Sequence, residues 1–450
     1  MPIIGRLYSP MMFGILSLYG SIVGPISAFA TLGYHQAIVL PEKNAKATIL
    51  IYGSFLVSFL TAFITFIIIQ YLPEIVWEKY SLEAIKPYRW LLPISILFHG
   101  IHTTLTSINQ RNARFGTISL SRIIYALINK IFIIIIAFVG YKSSGSLIIG
   151  SIVGALGMIV VLGVPNKKLF TNTVMFSMKP FFEYKKFPIY ILTTDFIYRL
   201  TNSAIIYLLA YYFSETVVGY YGMAMMLAGL PSVLIGSGIA EVFYQKASVD
   251  FNTVKKVKSV EKLFLYLVQF SFVPFVVFAI LSPDLFTVFL GDKWFYAGKY
   301  AQILSFQMFI NFIITPILSL SKIYNKQEYA FIVQLLIFIT NFCAILIGGF
   351  MKNIYVSIFI MAISSGIINF IFSLLMFHFS GVSAQKIINM ILKYILFGIP
   401  FILPLVFFQQ YYFLKPIYLF ISGIGCIIIY FISLFKIDNE FSIMVRNIIK

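Results

Sequence analysis

The sequence is poor in charge, in cysteine and in polar stretches, and each shortage excludes something. Only 11% of its 450 residues are Asp, Glu, Lys or Arg, against about 25% in a soluble domain, so an ordinary water-soluble globule is excluded. The two cysteines, Cys343 and Cys426, lie in apolar segments without metal-ligand spacing, which argues against a zinc site or a disulfide framework. No small-residue cleavage site precedes a polar mature region, so the N-terminal stretch is not a secretory signal. Long polar loops are missing too. Leu72 to Tyr88 on one side, and Pro165 to Phe187 and Gln245 to Val260 on the other, leave no room for a soluble catalytic domain. Neither composition nor spacing points to a cofactor or a metal.

What is present is apolar. Hydrophobic residues make up 60% of the chain, with 48 Phe and 29 Tyr. A transmembrane helix needs about 20 mostly apolar residues. Thirteen such stretches occur, at about 13–37, 47–71, 88–108, 118–140, 146–164, 188–213, 218–244, 261–283, 299–320, 329–351, 354–378, 387–408 and 413–435. They are too long and too weakly alternating for barrel strands. The expected fold is an all-α polytopic membrane bundle of about 13 transmembrane helices.

The net charge of +18 would point to nucleic acid in a soluble protein. Here the basic residues fall between apolar stretches, where the positive-inside rule accounts for them. With alternate loops on opposite sides, 20 Lys and Arg lie on one side, including Lys167, Lys168, Lys185, Lys186, Lys255 and Lys256, and 9 on the other, including Lys79, Lys293, Lys299 and Lys352. The first side is then cytoplasmic, the C-terminus ends there, and no nucleic-acid partner is expected.

An internal repeat underlies this order. YSPMMFGILSLYGSIVG, from Tyr8 to Gly24, aligns with FSETVVGYYGMAMMLAG, from Phe213 to Gly229, at an offset of 205: Ser9 meets Ser214, Gly14 meets Gly219 and Gly24 meets Gly229. These copies open the first and seventh stretches and so cross the membrane in the same direction, as parallel repeats do in some secondary transporters. The helix before the second copy, at 188–213, has only MPIIGRLY as its counterpart. The expectation is therefore two six-helix lobes, the first helix largely missing, followed by two additional helices. The lobes are placed at 1–170 and 171–380, and the extra pair with its tail at 381–450.

Three stretches carry a resemblance. The first is RLYSPMMFG (Arg6 to Gly14) with TLGYHQAIVLPEKNAKA (Thr31 to Ala47). The second is EYKKFPIY (Glu183 to Tyr190) with SETVVGYYGMAMMLAGLPSVLIGSGIAEVFYQKA (Ser214 to Ala247). The third is LFTVFLGDKWFYAGKYAQIL (Leu285 to Leu304) with TPILSLSKIYNKQEY (Thr315 to Tyr329). Together these resemble the Wzx-type oligosaccharide flippases, or polysaccharide transporters, of the multidrug/oligosaccharidyl-lipid/polysaccharide exporter superfamily. His35 stands where many members carry an acidic residue. The resemblance implies two lobes around a cavity that alternates between membrane faces, in the bacterial inner membrane, with no covalent chemistry. It implies an oligosaccharide linked through pyrophosphate to undecaprenol as cargo, with membrane lipids, a polysaccharide polymerase and a chain-length regulator as partners.

Charged groups inside membrane segments are functional candidates by default. Six occur: Arg122, Lys130, Asp195, Arg199, Glu241 and Lys393. Asp195, Arg199 and Asn202 follow i, i+4, i+7 spacing and share a helix face. They form either a structural ion pair or a site in which the Arg199 fork binds pyrophosphate and Asp195 tunes it. Arg122, near a helix end, either snorkels to the interface or meets the substrate; Lys130, nearer mid-helix, is the better candidate to face a cavity, and Lys393 is placed to snorkel. Arg6 is an interface anchor or part of a cationic cavity mouth. Asp195 and Glu241 are the carboxylates available for ion coupling, though Glu241 sits near a helix end where solvation also accounts for it. His99, His102, Thr106 and Asn109 approximate one face, for polar packing or for proton or sugar contact. Gln307, Asn311, Thr315 and Ser319 form an uncharged stripe that can bind sugar hydroxyls or neighbouring helices. With 18% aromatics throughout, no aromatic residue stands out.

Two other classes share these features. A cation-coupled drug exporter of the same superfamily would want carboxylates in its cavity, yet embedded cations outnumber acids four to two. A membrane polymerase or ligase would want substantial outward loops, which are missing. No pore-lining ring marks a channel.

Overall fold

The computed structural model describes residues 1–79, 82–166, 177–232, 254–324, 326–411, 416–438 and 441–442. Among these residues the chain is helical and no strand occurs. In chain order the helices are α1 (Pro2–Leu7), α2 (Pro10–Ala28), α3 (Tyr34–Ala37), α4 (Asn44–Tyr71), α5 (Glu74–Lys79), α6 (Leu91–Arg111), α7 (Phe115–Phe138), α8 (Ser144–Gly163) and α9 (Lys179–Glu183). They continue with α10 (Leu192–Tyr212), α11 (Glu215–Ala228), α12 (Val254–Leu290), α13 (Phe295–Ile323), α14 (Gln327–Phe350), α15 (Ile354–Phe379), α16 (Ala384–Tyr411) and α17 (Pro416–Ile437). Eleven of the described helices are long and apolar enough to cross a membrane, each matching one of the thirteen stretches. The sixth stretch is α10, which is helical but carries Thr, Asp, Arg and Asn. The seventh begins as α11 and runs beyond the described residues.

Local chemistry sets the boundaries. Ser9 caps α2 by accepting from the Met12 amide, with Pro10 in the first turn, and Ser143 caps α8 in the same way through Ser146. These caps satisfy amides that a helix start leaves without partners. The apolar stretch expected to run to residue 37 is broken instead. α2 stops at Ala28, and Leu32 (φ 47°) and Gly33 (φ 75°) turn the chain into the short α3. The turn's buried Ala30 carbonyl accepts from Ser58 Oγ of α4 at 2.7 Å. Membrane-depth hydroxyls elsewhere bond back to their own helix, as Ser54 does to Leu50 O and Thr65 to Thr61 O. Each such bond spares a hydroxyl the cost of facing lipid unpaired.

Two compact units result, Met1–Gly219 and Tyr220–Lys450. In the first, α2 packs against α6, α8 and α10, α4 against α6, and α7 against α8. Gly14 of α2 and Gly219 of α11 bring their helices into backbone contact. A Cβ on Gly14 would lie 1.7 Å from Glu215 O, and one on Gly219 1.9 Å from Pro10 O. Only glycine permits that approach. The contact is reciprocal, because Pro10 and Glu215 are themselves related by the offset of 205. In the second unit α12 is the hub, packing against α13, α16 and α17, while α15 joins α13 to α14. Its core is built on buried Phe264, Phe372, Phe377 and Tyr430. The C-terminal pair is anchored at Asp438, which accepts from Gln269 Nε2 at 3.1 Å and from the Tyr394 hydroxyl.

Candidate functional site

The first unit gathers polar chemistry around α10. Its entry is a widened π turn at Phe187–Ile191, a helical irregularity common at functional sites. About two turns later the Arg199 guanidinium donates from Nε to Asp195 Oδ2 at 2.9 Å and from Nη1 to Ser27 Oγ of α2 at 3.0 Å. Ser27 in turn donates to Gly24 O at 2.7 Å. The two bonds occupy part of the fork's five N–H donors, and the others have no partner among the described residues. Arg199 and Asp195 keep 27% and 36% of their side-chain surface, so the pair is only partly buried.

Arg199 borders a cavity of about 470 Å³ inside this unit. α2 contributes Tyr19 and Ser27, α6 contributes Ser95, His99 and His102, α7 contributes Tyr125, and α8 contributes Ser151. Tyr19 and Ser95 share a hydrogen bond of 2.7 Å. The His99 and His102 rings meet edge to face at 5.1 Å. His35, held through Nδ1 by Thr31 Oγ1 at 2.6 Å, lies within electrostatic reach of Asp195, Arg199 and His102. Hydroxyls and imidazoles around one fixed guanidinium make a chamber able to hold an anion with a polar body attached. A guanidinium suits phosphate because its planar fork matches two oxygens at once.

The structure brings Arg199, Asp195, His99 and His102 together and sends other sequence candidates elsewhere. Asn202 is exposed and donates to Tyr198 O of its own helix at 2.9 Å. Lys130 is half-buried in α7, with no hydrogen bond or ion pair among the described residues, and does not line the cavity. Arg122 is exposed one turn outside it, near enough to His102 to act on it electrostatically. Arg6 is exposed in the last turn of α1. Asn109 is buried and tied to Leu105 O and Leu162 O, so its stripe ends in helix packing. Gln307 and Asn311 lie on α13 in the second unit, where Asn311 Oδ1 accepts from Asn369 Nδ2 at 3.1 Å. Glu241 lies outside the described residues.

Sequence reasoning passed over Ser27, Tyr19, Ser95 and Tyr125. A serine 172 positions from its arginine carries no pattern that would pair them. It also missed the work of the loop cations. Arg111 donates to Ile38 O and Asn44 Oδ1, and Arg114 to Pro165 O and Asn166 Oδ1, tying down helix ends and connections where a count of charges sees only charge.

Comparison with known proteins follows the same lines. No curated protein sequence matches the chain. Among solved structures, the chain is similar to a lipid II flippase, MurJ, in an inward closed conformation, with a TM-score of 0.71 at 16% identity over 97% of each chain. It is also similar to an inward-facing multidrug resistance MATE family transporter of the MOP superfamily, with a TM-score of 0.60 at 14% identity, over 86% of this chain and 93% of that one. Such identities establish the fold alone, which this chain shares with both of these proteins. The family model described as "Polysaccharide biosynthesis protein" matches residues 3–299. That is well over half of the sequence, and the chain belongs to this polysaccharide biosynthesis family.

Proposed function

We propose that the protein is a flippase that carries undecaprenyl-pyrophosphate-linked oligosaccharide repeat units from the cytoplasmic to the outer leaflet for surface polysaccharide synthesis, by alternating access. The observation that carries this reading is Arg199, fixed by Asp195 and Ser27 at the rim of a hydroxyl- and imidazole-lined cavity. Its free N–H groups suit the pyrophosphate, and the polar walls suit the first sugars. The fold likeness to a flippase of lipid II supports the same class of cargo. Asp195 is the group we assign to ion coupling, since its protonation or metal-ion binding would release the guanidinium beside it. Lys130, Arg122 and Arg6 are proposed to guide the anion, and Asn202, Gln307 and Asn311 to meet the glycan.

In this reading the lobes are 1–170 and 171–380, with residues 381–450 as an added pair and tail. The protein sits in the bacterial inner membrane with its C-terminus in the cytoplasm, and it works beside a polymerase and a chain-length regulator. A second reading, a cation-coupled drug exporter, draws on the MATE-like fold. The two separate in cells depleted of the protein. Loss of surface glycan, with completed repeat units stranded on the cytoplasmic leaflet, is the outcome expected of a flippase. An unchanged lipid-linked pool with altered drug tolerance would favour the exporter, and repeat units stranded unpolymerised on the outer leaflet would favour an enzyme.

A further inference from the structure

We propose that the second compact unit carries a carbohydrate subsite, a cup of four tyrosines formed where Tyr220 of α11, Tyr296 and Tyr300 of α13, and Tyr355 of α15 converge. The Tyr220 ring lies 5.8 Å from Tyr296, 6.0 Å from Tyr300 and 6.3 Å from Trp294, and Tyr300 lies 5.8 Å from Tyr355. Trp294 is fully buried beneath the group and Tyr300 is 3% exposed. Tyr296 keeps 52% and Tyr355 39% of its surface. The base is therefore rigid and the rim open.

An aromatic belt at a membrane interface is the ordinary explanation for tyrosines near helix ends. Belt residues turn singly toward headgroups, whereas these rings turn toward each other across three helices. Their hydroxyls add the second observation. Tyr300's phenol is within electrostatic reach of those of Tyr355, Tyr220 and Tyr296, yet none of the four hydroxyls has a hydrogen-bond partner among the described residues. A buried or half-buried Tyr hydroxyl normally finds a partner. Tyr220 and Tyr300 lack one, and with the exposed hydroxyls of Tyr296 and Tyr355 at the rim they describe a place prepared for a ligand rich in hydroxyls.

The surrounding charge narrows the ligand class. Lys299 sits over the Phe295 ring at 5.6 Å, and Asp284 is within its electrostatic reach. A pyrophosphate would want cations aimed into the cup, and a lipid tail would leave four phenols unsatisfied. A neutral sugar satisfies both demands. Its C–H face packs on a ring while its hydroxyls exchange hydrogen bonds with phenols, each of which donates and accepts. The internal repeat adds independent support. Tyr300 lies at the offset of 205 from Ser95, which lines the cavity of the first unit, so the same helix face meets a ligand space in both copies. The basic-residue count places Lys293, Lys299 and Lys352, and with them the cup, on the outward side. Naming the ligand as the transported glycan rests on the flippase reading; the cup itself does not.

The test uses the full chain in lipid nanodiscs and, as probe, the repeat-unit oligosaccharide released by mild acid from the lipid carrier of the cells that make the protein. Saturation-transfer NMR should show transfer from aromatic protons to sugar C–H groups. A Tyr296→Ala, Tyr355→Ala variant should bind about tenfold more weakly. A Tyr296→Phe, Tyr355→Phe variant keeps the rings and the fold but loses two hydroxyls, and should bind about fivefold more weakly. Absence of binding to the wild-type protein, or equal binding by all three, would overturn the subsite. The depletion assay separates the two proposals. Normal flipping by a protein whose cup variants bind unchanged removes the subsite alone, whereas sugar binding by a protein that strands no lipid-linked glycan when depleted removes the flippase reading alone.

Discussion

The two compact units reuse one helical plan for different chemistry. In the first, α6 presents Ser95, His99 and His102 to a cavity bordered by Arg199. At the offset of 205, α13 of the second unit presents Tyr300, Leu304 and Gln307, followed by Asn311 where α6 has Thr106. The two imidazoles of one copy are matched by a leucine and a neutral amide in the other, and Ser95 by a phenol. Ser27 and Ser232 are related in the same way. Ser27 Oγ accepts from Arg199, while Ser232 Oγ is buried with no partner among the described residues. What both copies keep is the backbone crossing at Gly14 and Gly219. The comparison teaches that helix contacts are held by sterics, which tolerate no drift, whereas lining residues drift with the ligand each copy meets.

The largest expected effect comes from breaking what the copies share. Gly14→Ala would set a Cβ 1.7 Å from Glu215 O, and Gly219→Ala one 1.9 Å from Pro10 O. Both obstacles are backbone, so neither can rotate away. Each substitution should destabilise by about 3 kcal/mol or more, seen as loss of monodisperse protein or a lowered Tm on heating in detergent. Gly20→Ala, on the same helix but with nothing within 4 Å of the added Cβ, should fold normally. Equal behaviour of Gly14→Ala and Gly20→Ala would show that the crossing does not hold the fold.

The second effect separates the copies. Arg199→Ala removes a guanidinium that makes two charge-assisted bonds and leaves Asp195 uncompensated. Hydrogen bonds to charged groups contribute about 1.5–3 kcal/mol, so transport should fall by about ten- to a hundredfold while folded protein is still made. Arg199→Lys keeps the charge without the fork and should recover only part of the activity. Asn311→Ala removes one neutral bond to Asn369 and should lower transport no more than about fivefold. Lipid-linked glycan flipping, measured in cells complemented with each variant, ranks them. If Asn311→Ala proved the more damaging, the charged chamber of the first unit would lose its central role.

Much of the fold was legible because membrane helices write their length and hydrophobicity directly into sequence. Eleven of thirteen stretches recur as described spans, and the repeat glycines mark a real crossing. The end of α2 was less legible, because Phe29 to Tyr34 is as apolar as a helix and only the positive φ at Leu32 and Gly33 reveals the turn. The Arg199–Asp195 pair was readable from i, i+4 spacing, since both charges sit where lipid would reject them. Its serine partner was not, because a membrane serine is content with its own helix. The tyrosine cup was hidden for the opposite reason: 29 tyrosines give no contrast, and only three-dimensional convergence selects four of them.

The smallest effect concerns charge at the surface rather than in the chamber. Glu74 of α5 accepts from Lys86 Nζ at 2.7 Å, in the short segment joining α4 to α6. The hydrogen bond from Lys86, and then its charge, hold the Glu74 carboxyl below its usual range. A carboxylate depressed in the folded state contributes stability at neutral pH, which is lost as pH falls through its folded-state pKa. Exposure and salt screening reduce that contribution toward nothing. Glu74→Gln should therefore leave both transport and Tm unchanged at neutral pH, and should erase only a slight acid-side slope in Tm between wild type and variant. A large loss of transport would mean that this loop charge acts on the cargo, and the division between a charged chamber and an inert charged surface would have to be redrawn.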